Sequence, residues 1–132
     1  EAIERHVVRQ LAEFGDEETL AVLLEEAKTI DQWMNDAKHD EVQGTTMHLE
    51  FHLKLARATG YGALEETLHR TSMRALLTTR WITNQCIPHP ADFHEQLISA
   101  VMQRDPSLAD LKMREHLHFL DHVTADMPSA QG

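Results

Sequence analysis

The segment His48-Leu49-Glu50-Phe51-His52 decides how this chain is read. On a helix of 3.6 residues per turn, residues four apart stack on one face, so the two imidazoles lie one turn apart on the same side. Met47, Phe51, Leu55 and Ala58 flank that side on one hand, and Leu49, Leu53 and Ala56 on the other. Gln43, Glu50, Lys54 and Arg57 fall opposite. Both histidines therefore occupy the middle of the face that should be buried. Imidazoles taken out of water need partners. A divalent metal ion is the partner that uses both at once.

The flanking sequence predicts an all-α chain of about six helices, with no run of strands. The first covers about residues 1–14 and carries Ile3, Val7, Leu11 and Phe14 on one stripe, with Gly15 ending it. Asp16 caps the second, and Glu17 and Glu18 occupy its first turn, where the helix dipole favours carboxylates. It runs to about Asn35 with Leu20, Leu23, Ala27, Ile30 and Met34 inward. Asp40 is the expected cap of the third helix, which holds the histidine pair and stops at Gly60.

The fourth helix is expected from about Gly62 to Asn84. Leu64, Leu68, Ala75 and Ile82 line one side, and Met73, Leu77 and Trp81 another. Between them runs a polar seam of Thr67, Thr71, Arg74 and Thr78. Either that seam faces a cavity, or the threonines bond back to their own helix and Arg74 pairs with a carboxylate. Pro90 suits the first position of a fifth helix that reaches about Arg104, with Phe93, Leu97, Ile98, Val101, Ala91 and Met102 on its apolar arc and His94 at the centre. Asp105-Pro106 opens a sixth with a cap and a first-turn proline. There Ala109, Met113, Leu117, Leu120 and Val123 surround His116, and Lys112 reaches solvent along its stem. Residues 126–132 form a small, polar tail expected to fray.

Ten histidines are many for 132 residues, and their placement is informative. His48, His52, His94 and His116 are each centred on a buried arc. His118 and His122 are also four apart, but Arg114, Ser107 and Asp121 share their side, which assigns them to solvent. A single core histidine is usually a neutral ring bonded to a carbonyl or carboxylate. Four on three helices are harder to explain that way, because histidine is neither a good helix former nor a good core filler. Neutral imidazoles select zinc, nickel, cobalt or copper over magnesium or calcium, with ligand distances near ~2.0–2.2 Å. Four uncharged ligands would leave the ion's full positive charge in place. Such a site should attract a carboxylate, whose second oxygen Arg74 could take by a forked hydrogen bond.

The totals fit one soluble domain with a real core: 132 residues, 42% hydrophobic, and no apolar run near the ~18 residues of a membrane span. Cys86 is a lone cysteine, which excludes an internal disulfide and suits a reducing compartment. The net charge of −10 argues against this segment gripping a phosphate backbone by itself. Glu1-Ala2-Ile3-Glu4 has no starting Met and reads as a fragment or processed chain.

With helices and histidines placed, the chain resembles the C-terminal effector-binding domain, FCD class, of GntR-type bacterial transcriptional regulators. His48-Leu49-Glu50-Phe51-His52, with Ala56 and Thr59-Gly60 following, resembles the family's acidic-x-x-Phe-His signature and the end of the same helix. Phe93-His94-Glu95 with Leu97 and Ala100 resembles its second histidine motif, and Met113-Arg114-Glu115-His116-Leu117 its third. The resemblance spans essentially residues 1–132. It implies an antiparallel helical bundle with an internal metal and ligand cavity, a small organic acid bound at or beside the metal, and a cytoplasmic homodimer. It also implies an N-terminal winged helix-turn-helix, absent from this chain, that would contact DNA. Two positions depart from the family pattern. His48 stands where the first ligand is typically an aspartate, and Tyr61 where asparagine is frequent.

Three readings follow. In the first, this is a non-catalytic ligand-sensing domain. His48, His52, His94 and His116 hold a divalent transition metal, zinc first and nickel second, and Arg74, Thr67, Thr71 and Thr78 face the effector. In the second it is a metal-dependent, hydrolase-like enzyme using metal-activated water; no general base is evident, since Glu50 points away and Glu95 sits at the rim. In the third it is a metal-free dimerisation bundle whose histidines are merely satisfied.

Overall fold

The computed structural model describes residues 1–36, 41–82 and 90–119, without the side chains of 41, 42, 45 and 73–82. Six helices lie among them: α1 Ala2–Phe14, α2 Glu17–Met34, α3 Glu41–Ala58, α4 Gly62–Ile82, α5 Phe93–Met102 and α6 Pro106–Leu117. There is no strand among the described residues, and the chain is an all-α helical bundle. No helix of the described part is long and apolar enough to cross a membrane.

Cross-helix pairs give the directions. Glu1 meets His118 and Arg5 meets Asp110, so α1 and α6 run antiparallel. Glu26 meets Lys54 and Trp33 lies against Gly44, which does the same for α2 and α3. Asp31 meets His94 and Asn35 Nδ2 donates to the Ala91 carbonyl, so α2 and α5 are antiparallel too. Arg57 and Glu65 clasp the α3–α4 turn. That turn needs Gly60, whose φ of +80° lies in the left-handed region that side chains disfavour.

Helix starts follow the expected local chemistry at two places. Asp16 Oδ1 accepts from Thr19 N at 2.7 Å, and Asp105 accepts from Ser107 N and Leu108 N with Pro106 in the first turn. The expected cap Asp40 lies outside the described residues, as do the end of the fourth helix beyond 82, Cys86, Leu120, Val123 and the tail. α5 begins later than expected, at Phe93, because Pro90–Phe93 closes a turn through Phe93 N and the Pro90 carbonyl. Its cap comes from another helix, as described below.

The core joins all six helices: Val8 and Leu11, Leu20 and Ala27, Phe51 and Leu55, Leu68, Leu97 and Ile98, and Ala109 and Met113 are buried. Three expected positions are exposed instead: Ala91, which precedes α5, and Phe14 and Met102. Phe14 is 71% exposed and Met102 38% exposed. From the Arg5–Asp110 contact, Phe14 lies nine residues further along α1, ~13 Å at 1.5 Å per residue, whereas α6 extends only four residues back to Pro106. Phe14 has run past the helix it would pack on. Met102 is likewise the last residue of its helix. Lys112 does reach the surface, where it pairs with Glu115 at 3.0 Å.

Candidate metal centre

Each histidine is delivered by the face its helix buries. On α3, Phe51, Leu55 and Ala56 are buried and Gln43, Glu50, Lys54 and Arg57 are exposed, so His48 and His52 turn inward. α5 brings His94 and α6 brings His116. His94 is fully buried, His52 and His116 nearly so, and His48 half-buried.

The four rings meet. His48 Nδ1 lies 2.8 Å from His94 Nε2, and His52 Nε2 lies 3.2 Å from His116 Nε2. One ring nitrogen from each residue falls within 4.8 Å of all the others. Tetrahedral zinc with nitrogen at 2.0–2.1 Å needs its ligand nitrogens about 3.3 Å apart, so small ring movements suffice to close the set. Carbon packs around them: Phe93 stacks on His116 with centroids 4.0 Å apart, and Phe51 presents an edge to His94 at 5.3 Å.

Two carboxylates stand behind the rings. Asp31, buried on α2, accepts from His94 N at 2.9 Å, from Glu95 N at 2.9 Å and from His94 Nδ1 at 2.8 Å. One side chain thus caps α5 and holds a ring, and the neighbouring Asp92 makes no cap bond. Glu4 of α1 places Oε1 2.9 Å from His52 Nδ1, close to the ring nitrogen but off the line of a hydrogen bond. A carboxylate only accepts, so His94 Nδ1 carries the proton and its Nε2 keeps a lone pair for the interior, and the negative charge of Glu4 favours the same tautomer at His52. Burial lowers the pKa of His94 against the opposing pull of Asp31, which favours the neutral, ligating ring. Burial raises the Glu4 carboxyl, but His52 and the N-terminal ammonium together offset this and leave it below the ordinary value.

The donor set fits a metal. Two inward lone pairs, at His94 and His52, each face a second imidazole nitrogen close by. Nitrogen-only donors of this kind suit a divalent first-row ion such as zinc.

Residues 1–119 match the family model of the FCD domain. This chain belongs to the FCD domain family. Comparison with curated proteins and with solved structures finds no match. FCD domains are ligand-sensing regulatory domains rather than catalytic ones, and the four histidines of this one are compatible with metal binding.

Of the seam residues, only Thr67 and Thr71 have described side chains. Thr67 and Thr71 are exposed, and their hydroxyls donate to the Ala63 and Thr67 carbonyls, each at 2.8 Å. That is the back-bonding alternative for the seam. Arg74 and Thr78 lie outside the described side chains. His118 is partly exposed and pairs with Glu1 at 2.9 Å.

Sequence reasoning missed Asp31 and Glu4, though a signal existed. Asp31 follows Ala27 by four and Ile30 by one, on the inward arc of α2. Glu4 precedes Val8 by four and Leu11 by seven, on the inward stripe of α1. An acidic residue on an apolar stripe has to find a buried partner.

Proposed function

We propose that this domain senses a small carboxylate effector for a GntR-type transcriptional regulator, with a divalent transition metal held by His48, His52, His94 and His116. Zinc is the first candidate and nickel the second. One observation carries the reading: three helices bring four imidazole nitrogens within 4.8 Å of one another in the interior. Bound there, the ion would supply positive charge and, on expanding beyond four-coordination, a position for one carboxylate oxygen. Arg74, with Thr78, is the side chain we assign to the second oxygen. We assign no effector contact to Thr67 and Thr71, whose hydroxyls are engaged with their own helix. The centre ties α3, α5 and α6 together, so an effector that prefers one arrangement of these helices would shift that arrangement. The regulated output is DNA binding by an attached domain. This segment carries a net charge of −10 and is poorly suited to touch DNA itself. A homodimer in the cytoplasm completes the proposal.

A second reading has its own observation. The 2.8 Å and 3.2 Å nitrogen pairs are also hydrogen-bond distances, so a metal-free bundle could satisfy its histidines among themselves. Elemental analysis of protein purified at neutral pH without chelators separates the two. We expect about one transition metal per chain; below ~0.1 the metal-free bundle is favoured. Calorimetry with a panel of small organic acids then tests sensing. Binding without turnover, abolished by metal removal, is expected; turnover of an acid or ester would make this an enzyme.

A further inference from the structure

The rings that form the centre come from α3, α5 and α6, while the two carboxylates behind them come from α1 and α2, which carry no ligand. We infer that Asp31 and Glu4 are positioning residues of the metal centre, each engaging the outer nitrogen of one ring so that His94 Nε2 and His52 Nε2 face the ion. The inference rests on the metal reading above and goes beyond it by naming the groups that make the rings competent.

A neutral imidazole has two tautomers, and only one leaves the inward nitrogen with a lone pair. Asp31 removes the wrong one at His94 through its 2.8 Å contact with Nδ1, and two backbone N–H groups of α5 hold the same carboxylate in place. Glu4 faces His52 Nδ1 at 2.9 Å. Charge points the same way. Four histidine ligands bring no negative charge to a dication, and two carboxylates one ring further out bring two. These carboxylates offset part of the ion's charge from behind the ligand rings. Carboxylates placed behind ligating imidazoles fix ring orientation and raise donor strength, and losing one typically weakens metal binding 10–100-fold.

The test uses cobalt(II) as the probe, the whole chain, and the variants Glu4→Gln and Asp31→Asn. Each keeps the shape of the side chain and removes its charge. Cobalt affinity is read by chelator competition and the site by the visible absorption of the bound ion. We expect each variant to bind cobalt roughly 10–100-fold more weakly, with a changed band shape. Asp31 also caps α5, so Glu4→Gln is the cleaner probe, and unfolding of chelator-treated protein reads separately what the contact with His52 contributes without metal. A Glu4→Gln chain that is less stable without metal yet unchanged in cobalt affinity and spectrum overturns the inference. So do wild-type affinity and spectrum in both variants. Wild-type chain that takes up no cobalt, zinc or nickel overturns the metal reading itself, and the inference with it.

Discussion

Asp31 and Asp110 both join two helices, under opposite conditions. Asp110 of α6 receives a two-pronged hydrogen bond from Arg5 of α1, with both contacts 2.9 Å, at a place water can reach. Asp31 of α2 is 4% exposed and holds two backbone N–H groups and a ring nitrogen of α5. The Arg5 fork has the better geometry for an ion pair, but water competes for both partners and long side chains lose freedom in making it. Asp31 itself is almost wholly out of water, so the donors it serves would have little to turn to. Burial, more than geometry, decides which aspartate matters.

The sharpest way to break that contrast is Asp31→Ala. It strands two buried donors of His94 and the half-buried Glu95 N–H, and we expect a loss of ~3–5 kcal/mol in urea unfolding of metal-free protein. A loss under ~1 kcal/mol would put Asp31 in the class of Asp110. His94→Ala asks whether the buried end also serves a metal. At free metal near 100 times the dissociation constant, wild type should gain ~2.7 kcal/mol over chelator-treated protein, and the variant should lose most of that gain. Equal losses with and without metal would speak against ligation. Gly44→Ala probes the neighbouring α2–α3 contact. A Cβ there would stand 2.7 Å from Trp33 Cζ3. Overpacking of ~1–3 kcal/mol is opposed by ~1 kcal/mol of helix propensity, so the net loss should be ~0–2 kcal/mol. Arg5→Ala should have the smallest effect at neutral pH, and added salt should shrink it further. The Arg5 hydrogen bond holds the Asp110 carboxyl below its ordinary value. Whatever the pair contributes is therefore present at neutral pH and fades as pH falls into the acid range through that lowered value. A wild-type-minus-variant difference that grows toward low pH would contradict this.

The sequence made much of this legible, for identifiable reasons. Asp16 and Asp105 announce helix starts because their caps are local, bonding residues two or three positions on. The histidine quartet is legible because each member sits at the centre of an apolar arc, and arcs are what periodicity reads. Three features escaped. Asp31 and Glu4 were hidden because a periodic reading assigns carboxylates to solvent by default. The start of α5 was hidden because its cap is supplied by α2, about sixty positions away in the chain. Phe14 misled because periodicity does not know where the partner helix stops.

One contact has a practical consequence. The indole of Trp33 rests on Gly44, two residues after Asp31 on one helix and four before His48 on the next. The chain has two tryptophans, and replacing Trp81 with phenylalanine would leave Trp33 as the sole indole emitter. Its fluorescence would then follow how closely α2 rides on α3, giving a label-free optical gauge set beside the histidines.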